Sequence, residues 1–540
     1  MAERTAAEGV FVVERAGDGE PRETPEVMGF KAYNLLRMAR IGLPVPAAFV
    51  LGTRFCREYF ERGGRLAADF RELLAHNIRR IEAVSGTGFG SARRPLLVSV
   101  RSGAPVSMPG MMDTVLNVGL CEGVLRGMLR TTGNPRLVWD SYRRLIQSFA
   151  EVVEGRSSEP FEAAMAESLR RERVARAQDL DFKSLENLAG QYLELYRDQT
   201  GRAFPQEPLD QLEAATEAVF RSWKSARAAA YRRMAGIDEA LGTAVTVQRM
   251  VFGNSGGTSG AGVAFTRNPA SGEGELYMDF ASNAQGEDVV SGRYCLPEGD
   301  VLADILPNAF DAITAVRASL EREFEDAQEF EFTVQDGRLY LLQTRSGKRT
   351  ALAALRIAVD LVREGLIGPE KALARLEGID LPAIRDPHVA AAGQAALCRA
   401  VPASVGVATG EIALDSVSAE RRAATGAAVI LVRSEIDTGD IAGIESARGI
   451  LTAAGGRTSH AAVVARQLDR VCLVGCEALH IDIEARRCSI AGRTFHEGEV
   501  LTLDGRTGDV YAGAIGTVDE VPREYLAEVA RWRAMRRAAA

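Results

Sequence analysis

Residues 449–467 read GILTAAGGRTSHAAVVARQ and combine a strand, a glycine turn and the start of a helix. GILT is a short β-rich run, and Gly455 and Gly456 end it. Thr458 and Ser459 offer side-chain oxygens of the kind that cap a helix, and the AAVVAR run after His460 favours helix. The stretch therefore predicts a strand-to-helix turn that places an imidazole at a helix N-terminus.

That placement of His460 suits a phosphohistidine. Exposed backbone N–H groups and the positive end of the helix dipole stabilise an anion attached to the ring. No second histidine or acidic residue lies at the spacing of a metal site. A capping histidine without chemistry fits the same residues, so both interpretations stay open at this point. The remaining histidines are interpreted as surface or core residues: His76, His388, His480 and His496.

Further short apolar runs surround this turn and predict one compact β/α domain from Pro402 to Gly513. They are VILV (429–432) and VCLVG (471–475), and Cys472 and Cys476 in the second run are interpreted as packing residues. The preceding segment is rich in Ala and Leu, with Leu352, Leu355, Val359 and Val362 at helical spacing. Gly365 is placed to end that helix and Pro369 to open another, which predicts a helical linker.

The region from Lys31 to Arg345 alternates helical stretches such as 209–233 with β-rich runs such as LLVSV (96–100), and it predicts one large α/β region. Two glycine-rich stretches, SVRSGAPVSMPGMMDT (99–114) and FGNSGGTSGAG (252–262), could bring backbone N–H groups to phosphate oxygens. Plain turns are the alternative. Neither a Walker A motif nor the G-x-G-x-x-G dinucleotide motif is present.

A predicted hairpin, EFEFTV (329–334) followed by LYLLQTR (339–345), supports the nucleotide interpretation. It places Glu329, Glu331, Gln343 and Arg345 in one ladder, where alternate side chains share a face. Oxygen ligands beside a guanidinium are what a magnesium nucleotide needs, since the metal bridges phosphates and arginine neutralises developing charge. A solvated strand face with ordinary ion pairs is the alternative.

Length and composition exclude several classes of protein. The 540 residues allow about three or four domains. The chain is 46% hydrophobic and 26% charged, which excludes a disordered or fibrous protein. With 65 basic and 73 acidic residues interspersed, the net charge is −8 and no basic field indicates binding to nucleic acid or a membrane. Seven scattered cysteines without a CxxC pair, and the absence of a signal peptide or an apolar span, predict a soluble protein of the reducing cytoplasm.

Almost end to end, the motifs resemble the pyruvate, phosphate dikinase family within the phosphoenolpyruvate-utilising enzymes. The resemblance is carried, in the family's order, by LLVSVRSGAPVSMPGMMDTVLNVGL, FPQEPLDQL with VFRSW, MVFGNSGGTSGAGVAFTRNPASGEGELY, NAQGEDVVSG, LYLLQTRSGKRT and GGRTSHAAVVAR. It implies a multidomain α/β fold with an ATP-grasp-like nucleotide-binding domain followed by a swivelling β/α phosphohistidine domain. The expected boundaries are 1–350 for the nucleotide-binding domain, 351–398 for the helical linker, 399–514 for the phosphohistidine domain and 515–540 for a C-terminal linker helix.

The resemblance also implies roles for individual residues. His460 is expected to carry the phosphoryl group, with Arg345 as the second catalytic residue. Thr458 matches a regulatory phosphorylation target of plant members. Mg²⁺ is the expected cofactor, held by Glu331 and Gln343. The residues expected to bind ATP are Lys31, Arg101, Gly110, Met112, Asp113, Thr114, Glu331, Gln343 and Arg345.

Three positions depart from the family pattern. Phe30 follows Gly29 where the family has a second glycine, Glu329 replaces an Asp, and Arg457 replaces a Met beside the carrier histidine. Glu329 keeps the charge. Phe30 could tighten its loop, and Arg457 could stabilise the phosphohistidine or slow its onward transfer.

Family members continue into a barrel domain that binds pyruvate, whereas this sequence stops at Ala540 in the linker helix. The leading expectation is therefore a phosphotransferase that converts ATP and phosphate to AMP, pyrophosphate and phosphohistidine, with transfer to pyruvate requiring a barrel on another chain. A different small-molecule acceptor and a non-catalytic nucleotide sensor are the alternatives. A homodimer is possible, and neither nucleic acid nor a membrane is an expected partner.

Overall fold

The computed structural model describes residues 9–13, 24–106, 108, 112–290, 301–390, 395–436, 440–457 and 459–539. The chain divides into two units, of which the first comprises Met1–Gly256 with Tyr340–Gln343 and the second Gly257–Leu339 with Thr344–Ala540. Both mix helices with sheets, as the sequence predicts. Within the described residues, no helix is both long and apolar enough to cross a lipid bilayer.

The first unit is built around an antiparallel five-stranded sheet in the order β1-β2-β7-β5-β6. The central strands β2, β5 and β7 are almost wholly buried, because helices cover the sheet. The strands of this unit are β1 (Val10–Val13), β2 (Ala48–Leu51), β3 (Gly88–Phe89), β4 (Pro95–Leu96), β5 (Val98–Gly103), β6 (Thr114–Val118) and β7 (Ala244–Arg249).

The helices of the first unit form a large core with the sheet. They are α1 (Pro25–Met28), α2 (Phe30–Arg40), α3 (Thr53–Glu61), α4 (Phe70–Ser85), α5 (Glu122–Thr132), α6 (Pro135–Ser148), α7 (Glu159–Glu172), α8 (Phe182–Thr200), α9 (Pro208–Ser222) and α10 (Ala226–Ala235). The helical stretch predicted over 209–233 consists of two helices, because the first ends at Ser222 and the second starts at Ala226. Buried Trp223 donates its indole N–H to the Glu239 carbonyl, and Ser225 caps α10.

Buried Asp140 on α6 gives a pH-dependent contribution to stability. Burial raises the pKa of this carboxyl, but Arg143, Arg144 and Arg136 outweigh burial and lower its pKa to about 2. A folded-state pKa below that of the unfolded chain stabilises the fold above the unfolded value, near 3.8, and this stabilisation is lost as the pH falls through about 2.

We therefore expect Asp140→Asn to be less stable than the parent by about 2 kcal/mol at neutral pH. The difference should shrink as the pH is lowered from about 4 to about 2, measured by urea unfolding at each pH. Asp198→Asn, at an exposed position on α8, is the matched control and should stay near the parent throughout. A deficit for Asp140→Asn that does not change over this range would contradict the assignment.

The second unit begins with a four-stranded antiparallel sheet in the order β11-β10-β8-β9. Its strands are β8 (Gly260–Phe265), β9 (Tyr277–Ser282), β10 (Gln328–Gln335) and β11 (Arg338–Ser346), and its helices are α11 (Gly286–Val290), α12 (Val301–Ile305) and α13 (Pro307–Phe324). The predicted hairpin at 329–345 is confirmed as β10 and β11. Gly260 and Gly262 are required here, because a Cβ at either position would meet the ring of Phe280 or Phe332 at less than 2.5 Å.

The four-stranded sheet is followed in the sequence by α14 (Ala351–Arg363) and α15 (Pro369–Arg375), which are the two helices that the Ala/Leu pattern predicts. After them come a short 3-10 helix (Leu381–Ala383) and strand β12 (Asp386–Val389), which pairs with strand β24 (Thr517–Glu520) ahead of the last helix, Arg523–Ala539. Buried Asp386 accepts hydrogen bonds from Arg356 of α14 (2.9 Å) and from Arg506 (2.6 Å). One carboxylate thus joins the linker to the domain that follows.

That following domain has an eight-stranded mixed sheet in the order β13-β23-β22-β15-β16-β17-β18-β14. Parallel strands β15 to β18 form its centre, and its apolar residues fill two cores, one on each face. A small sheet of β19, β20 and β21 lies beside it.

The strands of this domain are β13 (Cys398–Arg399), β14 (Val401–Ser404), β15 (Val407–Ala413), β16 (Val429–Arg433), β17 (Gly449–Thr452), β18 (Val471–Val474), β19 (Leu479–Asp482), β20 (Arg487–Ile490), β21 (Arg493–His496), β22 (Val500–Asp504) and β23 (Asp509–Ala512). Its helices are α16 (Ser416–Ala424), α17 (Ile441–Ser446) and α18 (His460–Gln467), and the C-terminal helix of the chain is α19 (Arg523–Ala539).

Candidate active site

A glycine positions the first turn of α2, where Lys31 lies. Gly29 has φ 77°, and a Cβ at this position would come within 2.1 Å of the Gly103 carbonyl oxygen. The Phe30 N–H donates to the Ala104 carbonyl (2.9 Å), so the start of α2 is fastened to the end of β5. Phe30 has helical backbone and a half-buried side chain, which explains why this position accepts a residue other than glycine.

Arg101 lies on β5 of the same unit, two residues before Gly103. It is directly opposite Thr114 of β6 and Thr246 of β7, and its Nη1 donates to Gln248 Oε1 at 3.4 Å. The first unit therefore brings the Lys31 turn, Arg101 and Thr114 to one end of β5.

Other predicted ATP-binding residues of this unit are placed differently. The Asp113 carboxylate pairs with Arg227 of α10 at 2.9 Å, so its charge is directed to a helix of the same unit. Met112 is half-buried and packs against the large core. Gly110 and Thr458 lie outside the described residues, as does the side chain of His460.

The hairpin in the second unit holds the acidic part of the candidate site. Arg345 Nη2 of β11 pairs with Glu329 Oε1 of β10 at 2.5 Å, and the Glu329 side chain is 8% exposed. Burial would lower the pKa of Arg345, but the negative charges of Glu329 and Glu331 outweigh burial and hold its pKa above the usual value. Arg345 therefore stays a cation in a setting of low polarity.

The second oxygen of Glu329, Oε2, is buried and has no hydrogen-bond partner among the described residues. Glu331 lies two residues further along β10 on the same face. Two neighbouring carboxylates suit Mg²⁺, which is usually bound by one or two carboxylates with water and substrate phosphates. Gln343, the other predicted ligand, is buried on β11.

The strand register shows which face of this sheet the two carboxylates occupy. Glu329 is directly opposite Phe265 of β8, and Phe265 is directly opposite Tyr277 of β9. Because directly opposed side chains in an antiparallel sheet point to the same face, Tyr277, Phe265 and Glu329 form one row across it.

Two arginines on either side of His460 in the sequence contact that same row. The guanidinium of Arg466 on α18 lies 5.3 Å from the centre of the Phe265 ring, and that of Arg457 lies 5.0 Å from the Tyr277 ring. The Tyr277 hydroxyl donates to the Pro402 carbonyl at 2.8 Å. We call Phe265, Tyr277, Arg457 and Arg466 the docking row. Through it, Arg457 and Arg466 contact the sheet face that carries Glu329 and Glu331.

Local hydrogen bonds fix the turn before His460. Ser459 caps α18 by accepting from the Ala462 N–H, which confirms the predicted helix start. Buried Arg466 donates to the carbonyls of Arg457 and Ala403 at 2.9 and 2.8 Å. A helix N-terminus with unsatisfied N–H groups is suited to hold an anion at this position.

Two protein-family models match more than half of the chain. Residues 66–296 match the family model described as pyruvate phosphate dikinase, AMP/ATP-binding domain, and residues 426–508 match PEP-utilising enzyme, mobile domain. The chain contains both of these domains. Arg101, Met112, Asp113 and Thr114 lie within the first match and His460 within the second, whereas the hairpin that carries Glu329 and Arg345 lies between them.

Curated relatives support the same assignment over more of the chain. The pyruvate, phosphate dikinase of Clostridium symbiosum is 44% identical over 495 residues, which cover 91% of this chain and 57% of that protein. The enzyme of Rhizobium meliloti is 43% identical over 518 residues, 92% of this chain and 57% of its own length. Chloroplastic pyruvate, phosphate dikinase 1 of Zea mays is 42% identical, with coverages of 92% and 53%. The chain thus spans a little over half the length of these relatives.

Gly29, just ahead of the matched AMP/ATP-binding domain, gives a direct test of how α2 is positioned. We expect Gly29→Ala to cost about 2 kcal/mol or more, because the new methyl group meets backbone and the φ value is unfavourable for alanine. The measurement is thermal unfolding of the variant and the parent under the same conditions.

Gly123→Ala is the matched control for this substitution. Gly123 lies in α5, and a Cβ there meets no heavy atom within 4 Å, so the change should be neutral or slightly stabilising. Equal effects of the two substitutions would show that the contact between Gly29 and Gly103 does not position the helix.

Proposed function

We propose that this chain is a phosphotransferase of the pyruvate, phosphate dikinase type. In the proposed reaction a nitrogen of His460 attacks the β-phosphorus of ATP, breaks the bond to the oxygen that leaves with AMP, and takes a pyrophosphoryl group. An oxygen of inorganic phosphate then attacks the outer phosphorus, releases pyrophosphate and leaves one phosphoryl group on the ring. The single observation that carries the proposal is the contact of Arg457 and Arg466, which flank His460 in the sequence, with the sheet face of Glu329 and Glu331.

The basic residues of the candidate site are proposed to bind the phosphates of ATP. Lys31, Arg101 and Arg345 neutralise phosphate oxygens, because ammonium and guanidinium groups are the usual partners of phosphate in proteins. The segment 110–114 is proposed to be the loop that covers the phosphates. Thr114, opposite Arg101, supports this by its position in the register.

The acidic residues are proposed to hold Mg²⁺. Glu331 and Gln343 are the ligands expected from the sequence, and the orphaned Oε2 of Glu329 adds a third oxygen that fits a divalent cation. When bound, the metal supplies charge neutralisation between phosphates. Glu329 then serves two partners, since its other oxygen pairs with Arg345.

The ion pair between Glu329 and Arg345 prepares the site for its substrate. It keeps two charged groups in place in a poorly hydrated setting before the nucleotide arrives. When phosphates approach, Arg345 can turn part of its fork of donors to them without losing Glu329, because a guanidinium has five N–H groups. The side chains are therefore preorganised, which lowers the cost of binding the transferred group.

Arg457 has a different role from the one its position beside His460 suggests. Its guanidinium lies over the Tyr277 ring, so its charge contributes to docking of the mobile domain. Stabilisation of the phosphohistidine falls to the N-terminus of α18. Thr458 remains a proposed regulatory position.

We further propose that transfer to pyruvate requires a pyruvate-binding barrel domain that lies outside residues 1–540. The support is that the matches leave a little under half of each relative without a counterpart among these 540 residues. The cytoplasm is the proposed location, since all six described cysteines carry free thiols. A homodimer is a further proposal, based on the family resemblance.

Incubation of the chain with Mg²⁺, phosphate and ATP labelled at the β-phosphorus tests the first proposal. We expect acid-labile label on the protein and one AMP for each phosphorylated chain. Pyruvate alone should not remove the label, whereas pyruvate with an added barrel protein should convert it to labelled phosphoenolpyruvate. ATP binding without label would support a nucleotide sensor, and discharge by pyruvate alone would contradict the need for a barrel domain outside these residues.

A further inference from the structure

Two thiols of the mobile domain region are in contact away from the proposed active site. Sγ of Cys398 and Sγ of Cys476 are 3.5 Å apart, although 78 positions separate the residues in the sequence. Cys398 lies in β13, and Cys476 follows β18. The apolar run around Cys476 predicts a packing role for this residue. The positions of Cys398 and Cys476 in the sequence do not predict their contact.

The strand order shows where the two thiols meet. β14 and β18 are antiparallel and pair Val401 with Val474. Continuing this register past Ala400 brings Cys398 to within one residue of a position opposite Cys476. β13 and β14 are the two edge strands of the eight-stranded sheet, so the thiols meet where its edges approach each other. The sulfur atoms need to approach by about 1.5 Å to reach the length of a disulfide bond.

The two thiols differ in exposure and in acidity. Cys398 is half-buried, while Cys476 is buried. The contact with the Cys476 sulfur holds the pKa of Cys398 below the ordinary thiol value, and the same contact together with burial raises the pKa of Cys476. Cys398 is therefore the more accessible and more readily ionised of the two, as the attacking member of a reactive pair must be.

We propose that Cys398 and Cys476 form a reversible disulfide when the protein meets a peroxide. The Cys398 thiolate attacks one oxygen of the peroxide, which breaks the O–O bond and gives a sulfenic acid and hydroxide, later protonated to water. The Cys476 sulfur then attacks the sulfenic sulfur, forms the S–S bond and releases the second water. Two thiols are oxidised, one peroxide is reduced to two waters, and a dithiol can reverse the reaction by exchange.

The disulfide would close a loop that contains α18 and its carrier histidine. The Cys476 N–H donates to the carbonyl of Thr452, at the end of the strand that leads into the His460 turn. Joining Cys476 to β13 therefore fixes the base of this turn and restricts the unfolded chain over 398–476. We expect the oxidised protein to have a Tm several degrees above that of the reduced protein. The inference does not depend on the proposed function.

Treatment of the full chain with hydrogen peroxide, followed by intact-mass and peptide mass spectrometry, tests the proposal. We expect a loss of mass equal to two hydrogen atoms, a crosslinked peptide containing Cys398 and Cys476, and full recovery with dithiothreitol. In Cys476→Ser the sulfenic acid on Cys398 has no internal partner, so dimedone should label it there and should label the parent far less.

Cys488→Ser is the matched control, because Cys488 is another buried cysteine of the same domain and should leave disulfide formation unchanged. An unchanged mass, a crosslink at other cysteines, or equal dimedone labelling of the parent and Cys476→Ser would overturn the proposal. Since the first measurement uses the parent protein, the result does not depend on whether a variant folds.

Discussion

Replacement of His460 by alanine is expected to reduce acid-labile labelling from β-labelled ATP to background. An alanine side chain has no nucleophile, so the bond between the β-phosphorus and the AMP oxygen is not attacked and AMP does not form. Binding of ATP should persist, because the residues proposed to bind phosphates lie on other elements. The measurement is protein-bound label and AMP in the same reaction mixture, with ATP affinity determined separately by calorimetry.

His480→Ala is the matched control for the carrier histidine. His480 is exposed on β19 of the same region, so its loss should leave labelling at the parent level. Label that survives in His460→Ala, or that disappears equally in both variants, would contradict the assignment of His460 as the carrier.

Arg345→Met is expected to slow phosphorylation of His460 by about 10²–10³-fold, the range found when one preorganised charged donor is removed. Methionine keeps much of the length of the side chain but leaves the buried Glu329 carboxylate without its 2.5 Å partner. Single-turnover labelling measured by rapid quench gives the rate, and ATP titration separates binding from chemistry.

Arg345→Lys distinguishes charge from geometry at this position. A lysine keeps the positive charge but lacks the planar fork of donors, so we expect an intermediate rate. Arg338→Met, at an exposed position on the same strand, is the control and should label like the parent. A rate for Arg345→Met close to that of the control would remove Arg345 from the proposed catalytic group.

Local signals in the sequence predicted several elements correctly. The hairpin at 329–345 could be read from alternation and turn residues, and the start of α18 from its Ser459 cap, because both depend on residues that are near one another in the chain. The break between α9 and α10 was missed, since it depends on burial of Trp223 and on a hydrogen bond to Glu239.

The docking row could not be predicted from the sequence. Phe265 and Tyr277 look like ordinary core residues, and Arg457 and Arg466 lie almost two hundred positions further on. Only the strand register shows that these side chains meet on the face of Glu329. The orphaned oxygen of Glu329 was missed for the same reason, because burial of one atom depends on the packing around it.

Asp386 has a consequence for engineering chimeric enzymes. Its carboxylate is shared by Arg356, which precedes the eight-stranded domain, and by Arg506, which belongs to it. Consider a chimera in which this domain is replaced from a boundary near residue 399 onwards. It would contain Asp386 and Arg356 of this chain but the residue of the other protein at the position of Arg506. A compatible transplant must carry all three residues together, so the functional module begins with the linker.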